Sequence, residues 1–235
     1  MKKILLSILL SVLLLSAYSQ HGRRDVYLNY QEVDFKRVHY GFTLGVNYMD
    51  YDMRFKSNSL LRGEVAKVQP GLNVGLIGEY RFNKYFSVRL NPGFIFGGRE
   101  ISFSQPKKDA VDSYSGSVLA ECPLLIKMFA QRNGNNRAYV IAGLNIKYDI
   151  LSENHIHPES EVYIRNDALD YSLEFGVGVD FYMPFFKLST ELRVSFGLVD
   201  VLNHKIDKEN KEYYMYTEGV DRMNSKIVSL LFHFE

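Results

Sequence analysis

Between residues 39 and 234 this chain repeats one pattern eight times: apolar and polar side chains alternate, one by one, over runs of eleven to nineteen residues. Residues 170–182, DYSLEFGVGVDFY, show it cleanly. Asp170, Ser172, Glu174, Gly176, Gly178 and Asp180 share one side, and Tyr171, Leu173, Phe175, Val177, Val179 and Phe181 share the other. A period of two describes a β-strand with two unlike faces. Such a strand suits two opposite proteins. In a soluble sandwich or cup the apolar face meets a core and the acids meet water; in an outer-membrane barrel the apolar face meets lipid and the acids point inward.

The other seven segments read the same way. Residues 39–51 place Tyr40, Phe42, Leu44, Val46 and Tyr48 on one face. Residues 72–82 oppose Leu72, Val74, Leu76 and Tyr80 to Asn73, Glu79 and Arg81. Residues 85–103 oppose Phe86, Val88, Leu90, Phe94 and Phe96 to Ser87, Arg89, Asn91 and Arg99. Residues 114–130 set Val118, Ala120, Cys122, Leu124 and Ile126 against Ser117, Glu121 and Lys127. There Pro123, which has no N–H to donate, predicts a bulge or local break. Residues 138–151 oppose Val140, Ala142, Leu144, Ile146 and Tyr148 to Asn145, Lys147 and Asp149. Residues 185–199 oppose Leu188, Leu192, Val194, Phe196 and Leu198 to Lys187, Glu191 and Arg193. Residues 224–234 carry Val228, Leu230, Phe232 and Phe234 on one face, with Ile227 and Leu231 diluting the other.

The connections separate the two architectures. Asn83-Lys84, the RNGNN stretch at 132–136 and Met183-Pro184 are tight-turn chemistry. The stretches 52–71, 104–113, 152–168 and 200–223 are long and polar. Long and short therefore alternate along the chain, as in a barrel with both termini in the periplasm, short periplasmic turns and longer outer loops. A soluble cup of the lipocalin kind needs a Gly-x-Trp signature in its first strand, and this chain has no Trp among its 235 residues. The expected fold is all-β: an eight-stranded, antiparallel, up-and-down transmembrane barrel with four longer extracellular loops.

With the apolar faces on lipid, the inward set becomes Glu79, Arg81, Arg89, Glu121, Lys127, Lys147, Asp149, Glu174, Asp180, Lys187, Glu191 and Arg193. Eight strands enclose a space just wide enough for side chains to fill. A nearly balanced charge lattice is the expected filling, because an unpaired buried charge is costly. Tyr48, Tyr51, Tyr80, Tyr85, Tyr148, Tyr171 and Tyr182 fall near strand ends, where an amphipathic ring suits the membrane interface.

The first residues, MKKILLSILLSVLLLSAYSQ, carry Lys2 and Lys3 ahead of an apolar run and a small-x-small site at Ala17-Tyr18-Ser19. Residues 1–19 are read as a secretory signal peptide, the run being shorter than the ~20 residues of a spanning helix. Residues 20–38 are expected to be a periplasmic arm and 39–235 the barrel. The single cysteine, Cys122, excludes an intramolecular disulfide, and a net charge of +1 gives no footprint for nucleic acid.

Chemistry is sparse. His155, His157, Glu159 and Glu161 have ligand types for a metal, but a lone His-x-His in a polar stretch is read as an external loop. His204 and Asp207 lie in the last long connection with no nucleophile beside them, and Ser229 and His233 are too far apart along a strand to bond. No catalytic residue, cofactor, metal site or small-molecule substrate is expected. The expected partners are outer-membrane lipids and other proteins.

Several stretches together resemble one family: YQEVDFKRVHYGFTLGVNYMDY, the PLLIK segment, EFGVGVDFYMPFFK and the ending NSKIVSLLFHFE. They are similar, over about residues 30–235, to the PorT (SprT) outer-membrane barrels of the Bacteroidetes type IX secretion system. Cys122 departs from the Phe expected before Pro123. The aromatic-rich ending separately resembles the C-terminal signal read by the bacterial barrel-insertion machinery, from whose usual terminal Phe Glu235 departs. The family resemblance implies a non-enzymatic component of the secretion system, acting through contacts with its other subunits. It carries no catalytic or ligand-binding residue to this chain. The alternative is a generic small envelope barrel with a structural or adhesive role.

Overall fold

In a computed structural model of the chain, the described residues are 28–30, 36–55, 62–105, 108–151, 168–200 and 220–235. They form ten strands: β1 (Val38–Phe55), β2 (Arg62–Val68), β3 (Pro70–Arg81), β4 (Phe86–Leu90), β5 (Gly93–Gln105), β6 (Lys108–Phe129), β7 (Asn136–Asp149), β8 (Leu169–Tyr182), β9 (Lys187–Gly197) and β10 (Val220–Phe234). Neighbours pair antiparallel in the order β1, β10, β9, β8, β7, β6, then β4 with β5, then β3. β3 pairs in turn with β1, from Val38↔Tyr80 to Tyr48↔Pro70. The sheet thus closes on itself, which removes the exposed edges an open sheet would leave.

Ten segments build eight walls. Only Gln69 separates β2 from β3, and only Asn91-Pro92 separates β4 from β5. Across the second gap the register continues unchanged: Leu90↔Leu124 on one side is followed by Gly93↔Glu121 on the other. The eight-stranded antiparallel barrel expected from the alternation is the observed fold.

Two local expectations change. The long polar stretches 52–71 and 104–113 are largely strand: β1 runs to Phe55, β2 starts at Arg62, β5 ends at Gln105 and β6 starts at Lys108. A strand that continues beyond the apolar slab has water on both faces, so it loses its alternation while keeping its ladder. Polarity there marks the end of the lipid contact rather than the end of the strand. The break expected at Pro123 is also absent from β6, which pairs Pro123↔Asn145 within a continuous ladder. The interruption falls in the neighbouring wall, at Pro92, and Asn91 still donates its N–H to the Pro123 carbonyl at 3.3 Å. Pro92 and Pro123, neither of which can donate, fall one position apart across this pair of strands, and the defect is confined to one spot.

The faces separate as the alternation requires. Leu144 is 60% exposed and Val177 56%, whereas Arg89, Lys127 and Lys187 are fully buried. Tyr48, Tyr80, Tyr85, Tyr148 and Tyr171 stand on the outer surface, but Tyr51 and Tyr182 turn inward and are buried. Their parity explains it, since Tyr51 follows Asn47 and Met49, and Tyr182 follows Asp180, on the inward side.

Candidate functional site

The side chains that could carry chemistry are gathered inside the barrel, where successive inward positions of each strand stack in layers. Near the end bearing the short turns, β3 contributes Glu79, β4 Arg89, β6 Lys127, β8 Asp180 and β9 Lys187. Arg89 is the hub. Its guanidinium meets Glu79 Oε2 at 2.7 Å, Glu191 Oε2 at 3.2 Å and Glu235 Oε1 at 3.0 Å. Lys127 Nζ lies 3.1 Å from Asp180 Oδ1 and 3.8 Å from Glu79 Oε2. Lys187 closes the layer at 2.7 Å from Glu235 Oε2. Hydroxyls fill the remaining acceptor positions, Ser87 donating to Glu79 at 2.9 Å and Ser189 to Asp180 at 2.6 Å.

The next layer centres on Glu191. It accepts from Tyr139 Oη at 2.9 Å and from Arg193 Nε at 2.8 Å, and lies 3.3 Å from His233 Nε2. The other His233 nitrogen bonds Thr43 Oγ1 at 2.9 Å, and Asn91 donates to the same hydroxyl at 3.1 Å. Above it, Asn145 spreads its amide between two carboxylates, Glu121 and Glu174, at 2.7 Å each. Arg193 reaches Glu174 at 3.4 Å, and Lys147 donates to Ser195. Met49, Ile95, Leu119 and Ile227 then form a buried apolar layer.

Of the twelve residues singled out by the alternation, Glu79, Arg89, Lys127, Asp180, Lys187, Glu191 and Arg193 form the linked lower network. Glu121, Lys147 and Glu174 stand in the upper one. Arg81 sits lower still, its guanidinium 5.0 Å from the Phe129 ring centre, which Arg137 also approaches, at 4.4 Å. Asp149 is half-buried at the outer rim, where it accepts from Leu151 N at 3.0 Å. Arg99's side chain lies outside the described residues. So do His155, His157, Glu159 and Glu161, and also His204 and Asp207.

Glu235, Tyr139, Arg137, Thr43, Ser189 and Ser195 are among the participants that sequence reasoning did not single out. Glu235 follows the last alternating pair, so it reads as a trailing charge. Its backbone nevertheless extends the ladder by two bonds to Lys187, and that turns the carboxylate inward. Tyr139 reads as one more strand aromatic; only its inward parity, shared with Asn145 and Lys147, marks it.

A void of about 10 Å³ remains among Glu121, Lys147, Glu174, Arg193 and their neighbours, room for at most one water. A second feature lies at the lower rim. Asn29 of the N-terminal arm donates its N–H to Asn135 Oδ1 at 2.9 Å and its amide to the Tyr182 carbonyl at 3.3 Å. Its own carbonyl accepts from Arg132 at 2.6 Å, and that guanidinium stacks 3.7 Å above the Tyr182 ring. The turn bearing Arg132 and Asn135 joins β6 to β7, halfway round the ring from β1.

A closed sheet with an apolar outside and an ionic, filled inside defines an integral outer-membrane β-barrel protein. The chain belongs to the outer membrane protein beta-barrel domain family, whose pattern matches residues 18–203. Among solved structures it is similar to the outer membrane protein OprG of Pseudomonas aeruginosa, at 12% identity and TM-score 0.48, covering 84% of this chain and 92% of that one. It is also similar to Ail, the attachment invasion locus protein of Yersinia pestis, solved with the heparin analogue sucrose octasulfate. There the identity is 12% and the TM-score 0.41, covering 85% of this chain and 99% of that one. No curated protein matches.

Proposed function

We propose that this barrel is a non-enzymatic component of the type IX protein secretion system, needed for export of cargo across the outer membrane and acting through protein contacts in assembly or stability of the translocon. The observation that carries the contact role is the filled lumen: Arg89, Glu79, Lys127, Asp180 and Glu191 occupy the space through which a solute would pass. A barrel without a passage acts through its surfaces: outer loops, lipid-facing wall and periplasmic rim. The assignment to type IX secretion rests on the sequence resemblance over about residues 30–235. No nucleophile, base and orienting group converge among the described residues, which favours a scaffold over a catalyst. Deleting the protein should abolish surface delivery of type IX cargo, measured by proteomics of the culture medium and cell surface, and secretion subunits should co-purify from solubilised membranes. Normal cargo delivery in the deletion strain would refute the secretion role.

The second reading is a generic envelope barrel with a structural or adhesive role, and a matched family described only as an outer membrane protein beta-barrel domain supports it. It predicts unchanged secretion, with altered envelope integrity or surface binding in the deletion strain.

A further inference from the structure

The outer wall is apolar almost throughout, and near its periplasmic end it contains a recess of about 340 Å³ between β4, β6 and β7. Its origin is local. Ala130 and Ala138 are neighbours across the ladder, joined by a 2.9 Å backbone bond, and both are exposed. They put methyl groups where the surrounding outward positions carry Tyr85, Phe86, Met128 and Val140. The volume falls in the range of small-molecule sites, ~300–1,000 Å³.

The recess adjoins the turns 82–85 and 130–135, which belong to the periplasmic end of the barrel. A cation is held at this rim. Lys84 is exposed on its turn, with Nζ 4.8 Å from the centre of the Tyr85 ring that forms one wall. Its backbone is fixed from two sides: its N–H donates to Asn83 Oδ1 at 2.6 Å, and its carbonyl accepts from Arg137 Nη2 at 2.5 Å. An apolar slot with an ammonium over one of its aromatic walls is complementary to an amphiphile with an acyl chain and a phosphate.

We propose that this recess binds one anionic phospholipid of the periplasmic leaflet, an acyl chain lying over Ala130 and Ala138 and the headgroup phosphate facing Lys84. The site is independent of the secretion role. To test it, full-length protein folded in detergent is mixed with equal amounts of phosphatidylglycerol and phosphatidylcholine and examined by native mass spectrometry. Wild-type barrel should retain one phosphatidylglycerol in preference to phosphatidylcholine. Ala138→Phe, which fills the slot, should lower that retention about tenfold, the loss expected when about two methylenes are expelled from apolar contact. Lys84→Gln should remove the headgroup preference. Leu44→Phe, on the far side of the ring, should retain lipid as wild type does. Folding of each variant is checked by its gel shift on heating, with Ala130→Leu as a second slot-filling variant should Ala138→Phe not fold. Equal retention by wild type and slot-filled protein, or retention without headgroup preference in the wild type, overturns the proposal.

Discussion

Arg89 touches three carboxylates, Glu79, Glu191 and Glu235, and has no exposed surface. The pairing matters because the cost of removing charges from water is large and is offset only while every partner is present. Arg89→Met should therefore destabilise the folded barrel by roughly 3–5 kcal/mol, the usual cost of breaking a buried pair from one side. Adding Glu79→Gln should recover part of the loss, since one of the uncompensated carboxylates goes with it. Urea unfolding in detergent, followed by the gel shift of the folded form, measures both; an unchanged midpoint for Arg89→Met would mean the network contributes nothing. The inward position of Arg89 is legible in its parity with Ser87 and Asn91. Its partners are not, because parity assigns a face and leaves the height and identity of the group across the lumen open.

At the scale of the element, β8 shows why its inward face carries two glycines between Glu174 and Asp180. A Cβ on Gly178 would lie 2.4 Å from Cζ of Tyr139, and one on Gly176 would lie 2.9 Å from Cγ1 of Ile141. The glycines are the sockets into which β7 places its large inward side chains. Gly178→Ala should displace the Tyr139 ring from Glu191 and cost about 1–3 kcal/mol, the range for overpacking a close-fitted interior. The same unfolding midpoint reads it. Val177, between them, faces the other way at 56% exposure. Val177→Arg should impair insertion by roughly 2–4 kcal/mol if it lies near the bilayer midplane. Assembly into lipid vesicles, scored as the folded fraction, tests this; full insertion would contradict a lipid-facing Val177. Gly176-Val177-Gly178-Val179 looks like simple strand alternation in the sequence, and the need for glycine appears only once β7 is laid beside β8.

For the whole molecule, the closed ladder surrounds an interior that the described residues fill with ion-paired side chains. Reconstituted in a planar bilayer, the protein should show no steady ionic conductance, and a stable open current would contradict the packed lumen. At the rim bearing the short turns, Asn29 is bound to Arg132, Asn135 and Tyr182.

Alternation determined the apolar length of each strand and which residues share a face, and the order of long and short connections turned the apolar face outward. The faces follow from a local fact: successive side chains of an extended chain point to opposite sides. It even placed Tyr51 and Tyr182 indoors, against the expectation drawn from their nearness to strand ends. Where the polar stretches stop being strand was decided by the ladder, since hydrogen bonding continues at β1, β2, β5 and β6 after the lipid contact has ended. Which acid meets which base was decided by closure. Glu79 meets Arg89 directly across the β3–β4 hairpin, ten residues away, but Glu191 and Glu235 lie far along the chain and reach Arg89 only when β9 and the end of β10 are brought to its height around a common axis. That height is a property of register between strands, and no single strand encodes it.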